Sequence, residues 1–153
     1  MFNTDTIAEC MTASFANTPF PKVVERLAGA GVKSYTADLV KLRKTYYGAD
    51  GEAHDEAMPL QDGSAITPAF DQPAVMAAIK AIQKGELGYA EFLRRIMVAG
   101  CSHYEVFIAG RKAMYFGRDG AFYNEPFPGA AEIGAVTRPE SRRAPSRWCP
   151  TPE

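Results

Sequence analysis

Apolar positions along the chain follow one pattern twice. Phe20, Val23, Val24 and Leu27, and later Tyr89, Phe92, Leu93 and Ile96, recur at i, i+3, i+4 and i+7, the stripe of an amphipathic helix. Gly31 and Gly100 follow these stripes where a left-handed residue would stop the helix. Beyond each glycine the period falls from 3.6 to 2. Tyr35, Ala37 and Leu39 alternate with polar neighbours, as Tyr104, Val106 and Ile108 do, and both runs are expected as strands. Thr45 to Tyr47 and Ala113 to Phe116 give a second strand in each stretch. The link Ala109-Gly110-Arg111 reads as a hairpin connection with Gly110 available for the positive φ. Asp50-Gly51 and Asp119-Gly120 then reverse the chain, with shorter third strands around Ala53 to Met58 and Ala121 to Phe127. A further helix precedes each stretch. Asp71 can cap one with Pro73 in its first turn and Val75, Met76, Ile79 and Ile82 as its stripe; Ile7, Met11 and Phe15 mark a weaker one ending before Asn17.

The parallel extends to residue identity. Shifted by 69 positions, Phe20 to Pro59 falls on Tyr89 to Pro128 without a gap, and ten of the forty positions match, among them Tyr35/Tyr104, Tyr46/Tyr115, Asp50/Asp119 and Glu56/Glu125. Average usage would give about two or three. The expected unit is therefore helix, helix and a two- or three-stranded meander, in tandem copies at about 1–59 and 70–128, joined by the Gly-, Ser-, Pro- and Asp-rich link Leu60 to Phe70. Neither copy of about sixty residues is comfortable alone. Packing together lets both meanders join one antiparallel sheet with the helices on its face, a single α+β domain over 1–136 whose strand order stays open.

Composition narrows the function classes. At 153 residues, 46% apolar and 23% charged, the chain has the size and make-up of one globular domain, which argues against disorder or a disulfide scaffold. Seventeen basic residues stand against eighteen acidic ones, so no chain-wide basic field attracts nucleic acid or an anionic membrane. The balance is uneven along the chain. Residues 137–153 carry four of the eleven prolines and four arginines against two glutamates, and read as a tail that is disordered or anchored on the domain by Trp148. Four arginines would grip nucleic acid only weakly. The longest apolar run, Ala74 to Ile79, is six residues, so no membrane span is expected, and the first twenty residues lack the basic region of a secretion signal. Cys10, Cys101 and Cys149 are odd in number and widely spaced, which suggests neither a disulfide framework nor zinc and fits a cytoplasmic setting. No metal or cofactor is expected.

The run AGCSHYEVFIAGRKAMYFGRDG followed by EPFP, with AGVKSYTADLVKLRKTYYGADG upstream, resembles the YdfO-like family of bacterial and prophage proteins often labelled "phage envelope protein". The resemblance covers roughly Phe20 to Pro128. Ala121 stands where the family pattern carries Glu, while Glu125 and Phe127-Pro128 are kept. The resemblance implies no activity and no catalytic residues.

Among the candidate chemical groups, Gly117-Arg118-Asp119-Gly120 offers an accessible turn with a guanidinium fork for a carboxylate or phosphate, and Arg111-Lys112 would join Arg118 in a small basic patch. The first copy has Ala49 where Arg118 stands, so turn geometry alone also explains the string. Cys101 and His103, two apart, would share a strand face as a nucleophile pair does. Following a helix C-terminus, however, Cys101 would have a raised thiol pKa, and a buried small residue is the plainer reading. Tyr35, Tyr104, Tyr46 and Tyr115 would pair across strands in the core. If the hydroxyls of these four tyrosines face a crevice near an internal two-fold axis, they would bind a small ligand, Tyr35, Tyr104 and Tyr115 foremost, with Glu56 and Glu125 brought together at its rim. The expected function is a non-enzymatic small-molecule- or protein-binding or regulatory protein. The competing reading is a small-molecule enzyme built on Tyr104, Tyr115, Glu125, Arg118 or His103.

Overall fold

The computed structural model describes residues 1–128. The Arg- and Pro-rich segment 137–153, with Trp148, lies outside the described residues. Two helices, α1 (Thr4–Phe15) and α2 (Phe20–Gly29), lead into the meander β1 (Val32–Asp38), β2 (Arg43–Gly48) and β3 (Ala53–Ala57). The order then recurs as α3 (Gln72–Gln83), α4 (Tyr89–Val98), β4 (Cys101–Phe107), β5 (Lys112–Gly117) and β6 (Phe122–Pro126). Equivalent elements have equal lengths, from twelve residues in α1 and α3 to five in β3 and β6. The six strands make one antiparallel sheet in the order β3-β2-β1-β4-β5-β6. The fold is α+β.

Local chemistry sets the helix ends. Asn3 Oδ1 accepts from Thr6 N at 3.1 Å to cap α1, and Asp71 Oδ1 accepts from Ala74 N at 3.1 Å to cap α3. After α4 the chain turns left-handed at Gly100, with φ 92°, and a Cβ there would run into the backbone of Ala69 and Phe70. That close approach lets Asp71 N donate to Ala99 O at 2.7 Å, tying the start of α3 to the end of α4.

The two halves meet along β1 and β4, where Tyr35 lies opposite Val106 and Ala37 opposite Tyr104. One sheet face is buried under the helices, and its positions alternate as the pleat requires: Tyr35 and Ala37 on β1, Lys44 and Tyr46 on β2, Tyr104 and Val106 on β4, Ala113 and Tyr115 on β5. A single hydrophobic core runs across both halves, with Ile7, Leu27, Val75, Leu93 and Ile96 from the helices. The tyrosines pair as direct cross-strand neighbours, with ring centroids 5.2 Å apart for Tyr35–Tyr46 and 5.1 Å for Tyr104–Tyr115.

Two local expectations are corrected. In the β4–β5 hairpin the positive φ falls on Arg111, at 57°, and not on Gly110; the first hairpin places Leu42 the same way, at 58°. The left-handed step belongs to the last loop residue, where the chain re-enters the strand behind a tight turn. The second correction is that Cys101 and His103 do not share a face. A β-bulge shifts the register between them, so Cys101 and Ser102 are both buried, while His103 stacks on Phe116 on the open face of the sheet at 4.7 Å. No helix of the described residues is long and apolar enough to cross a membrane.

Candidate functional site

Between the helices and the buried face of the sheet lies a cavity of about 650 Å³. Its floor is Tyr35 of β1, Lys44 of β2, Tyr104 of β4 and Ala113 and Tyr115 of β5; Tyr89 and Phe92 of α4 wall it from above. It straddles the junction of the halves, because both members of the pairs Tyr35/Tyr104, Phe20/Tyr89 and Val23/Phe92 reach it. Exposed lining residues such as Phe20, Glu86, Pro126 and Pro128 mark where it opens.

Aromatic side chains from both halves form part of the walls and are held by edge contacts. Phe15 meets Tyr89 edge-on at 4.9 Å and Phe92 meets Tyr115 at 6.4 Å. Asn17, left-handed at φ 70°, ends α1 and turns its Oδ1 to accept from Tyr89 N at 2.9 Å. The first half thereby caps a helix of the second, since Gly88 at the start of α4 has no side chain to do so. The hydroxyls of Tyr89 and Tyr104 share a short hydrogen bond. Burial pushes the phenols of Tyr35, Tyr89, Tyr104 and Tyr115 above their ordinary pKa, so at neutral pH each is a neutral hydrogen-bonding group.

Of the residues singled out from the sequence, Tyr35, Tyr104, Tyr115 and Glu125 line this cavity. Glu125 stands at its edge, its carboxylate accepting from Tyr123 Oη at 2.7 Å and from Gln83 Nε2 at 3.3 Å. The others lie elsewhere. His103 is on the opposite face, bonded through Nδ1 to Ser102 Oγ at 3.1 Å. Arg118 is exposed in the β5–β6 turn, where Asp119 Oδ1 accepts from Ala121 N at 3.0 Å as a turn of this kind requires. Arg111 sits at the other end of β5, roughly 20 Å away by strand rise, with its guanidinium over the Phe127 ring at 6.0 Å. Arg111 and Arg118 therefore form no common basic patch. Glu56 and Glu125 do not converge either, because they lie on β3 and β6, the two edges of the sheet, roughly 24 Å apart across five strand spacings. Cys101 is fully buried and its thiol is pushed up to about 12, chiefly by that burial.

A lining residue that the sequence did not single out is Lys44. It is 2% exposed, and its Nζ lies 4.7 Å from the centre of the Tyr89 ring and 5.3 Å from that of Tyr35. Among the described residues no carboxylate lies within ion-pair distance of it. Its direct cross-strand neighbour, Glu56, turns its carboxylate to His54 Nε2 instead, at 2.6 Å. Burial pulls the amine down to about 7, against a small opposing effect from the Cys10 thiol. A signal for Lys44 exists in the sequence: it is two residues from Tyr46, hence on the same strand face, and Ala113 occupies the equivalent position of the other half.

Uncharacterized proteins of Mycobacterium bovis and Mycobacterium tuberculosis are 34% identical to this chain over 117 residues, which span 76% of this chain and 71% of theirs. No protein-family model matches it.

Proposed function

We propose, from the premise that this chain belongs to one family with the uncharacterized mycobacterial proteins it matches, that it binds a small, largely apolar molecule in the cavity between sheet and helices. The observation that carries this reading is the cavity itself. Its 650 Å³ is ligand-sized, much of its wall is aromatic and aliphatic, and polar groups converge in it, among them the tyrosine hydroxyls and the Lys44 amine. Ring faces would hold the body of the ligand while the hydroxyls and the amine orient its polar end. The proposal takes the halves as copies of one unit, supported by the ten shared identities and the equal element lengths. Kinship with the YdfO-like prophage proteins rests on the shared string around Tyr104 to Gly120. A cytoplasmic setting draws support from the free, buried thiols of Cys10 and Cys101.

An enzymatic reading has one observation in its favour, the meeting of Tyr104, Tyr115 and Glu125 in one lining. Binding takes precedence, because the buried phenols resist ionisation and Glu125 is already engaged by Tyr123 and Gln83.

A thermal-shift screen against a metabolite library tests the proposal. A ligand at a hundred times its dissociation constant stabilises the fold by about 2.7 kcal/mol. Ala113→Phe, which fills the floor of the cavity, is expected to abolish that shift. Absence of any shift across a broad library, or a shift that survives Ala113→Phe, would count against the cavity.

A further inference from the structure

We propose that Lys44 is a nucleophilic amine and that the cavity takes an aldehyde or ketone, captured on Lys44 Nζ as an imine. This rests on the reading of the cavity as a ligand site and names the chemical class of its occupant.

Three structural observations lead there. Lys44 is almost wholly buried yet lines the cavity, so what it faces is the ligand space and not bulk water. It has no carboxylate partner among the described residues, and its cross-strand neighbour Glu56 is bound to His54. The aromatic rings over which its amine lies, those of Tyr35 and Tyr89, are neutral. A lysine in such surroundings sheds its proton more readily than an exposed one, and the free amine is the nucleophilic form. Burial pulls Lys44 down to about 7, so about half of it is unprotonated at neutral pH.

The charge of the lining selects an uncharged ligand. Among the described residues Glu86 and Glu125 are its acidic members and Lys44 its only base, so an anionic ligand would have to pass two carboxylates. A neutral carbonyl compound with an apolar body meets no such obstacle. The step balances without an oxidant or reductant. The Lys44 amine lone pair attacks the carbonyl carbon, the oxygen collects protons from the amine, and the carbinolamine loses one water to leave the C=N bond. The Tyr89 ring lies 4.7 Å from the amine and its hydroxyl is hydrogen-bonded to that of Tyr104, which leaves this pair one hydroxyl hydrogen to give to the departing oxygen.

The test uses benzaldehyde as probe, with sodium cyanoborohydride to reduce any imine to a stable secondary amine, on the full chain at pH 7. Brief, substoichiometric exposure followed by peptide mapping reads the modification of each lysine. Lys44 is expected to react at least tenfold faster than the exposed lysines Lys33, Lys41 and Lys84. Lys44→Met should lose this fast modification while still melting cooperatively, and Ala113→Phe should slow it at Lys44 alone. Modification of Lys44 at or below the rate of the exposed lysines overturns the proposal, as does a rate unchanged in Ala113→Phe. If library ligands shift the melting temperature and Ala113→Phe abolishes that shift, yet Lys44 is not selectively trapped, the imine falls and the binding site stands. If neither occurs, both fall.

Discussion

A lysine on the core face of a strand imposes a cost that the rest of the fold must carry. Lys44 sits between Tyr46 on its own strand and the rings of Tyr35 and Tyr89. Cys10 reaches the same neighbourhood from α1, and Glu56 with His54 from β3. With its amine pulled down to about 7 from an unfolded value of 10.5, the unfolded chain binds a proton above pH 7 that the folded chain does not. Stability should therefore rise between pH 7 and about 9, by up to ~1.4 kcal/mol per pH unit. Above that range Cys10 and Cys101, whose thiols burial raises above 9.0, act oppositely, since the unfolded thiols ionise first. Lys44→Met keeps the length of the side chain without the charge. It should stabilise the protein at pH 7 by about 2–4 kcal/mol and flatten the rise between pH 7 and 9, both read from urea midpoints. A variant less stable than the parent would mean that Lys44 has a counter-ion in solution.

Helix ends and turns depend on single backbone conformations, and two glycines separate conformational strain from lack of space. Gly100 and Gly120 both have positive φ, 92° and 88°. A Cβ on Gly120 would meet nothing within 4 Å, whereas one on Gly100 would collide with the backbone of Ala69 and Phe70. Gly120→Ala should therefore cost only the left-handed strain, about 1 kcal/mol. Gly100→Ala should cost about 3 kcal/mol or more, because the contact between the end of α4 and the start of α3 must open as well. Equal losses in a denaturant titration would show that the close approach contributes nothing. The hairpins carry a different lesson. The left-handed residues there are Leu42 and Arg111, neither a glycine, because each side chain finds apolar company that offsets the strain: Leu42 against the core and Arg111 over Phe127.

For the whole molecule, the decisive join is β1 against β4. It makes one six-stranded sheet and one core from both halves, so far-UV and near-UV circular dichroism should report a single coincident unfolding transition. Two separated transitions would contradict a shared core. The same join creates the cavity, because Tyr35 and Lys44 come from one half and Tyr89, Tyr104, Ala113 and Tyr115 from the other. Much of this was legible beforehand. The helices, the first two strands of each meander, the Asp71 cap and the stop at Gly100 follow from apolar period and turn chemistry, which act over a few residues. Three of the floor residues, Tyr35, Tyr104 and Tyr115, were likewise visible as shared aromatics. Arg118, Arg111 and His103 were not separable from them, because a motif shows which groups are present and not which way they point; one bulge was enough to turn His103 away from Cys101. Whether Glu56 and Glu125 meet, where a cavity opens and whether a lysine is left without a counter-ion are decided only when residues thirty to seventy positions apart pack together. Local pattern determined the elements of this protein. The tertiary structure alone decided its site, since a ligand space and the charge within it belong to side chains that the sequence keeps far apart.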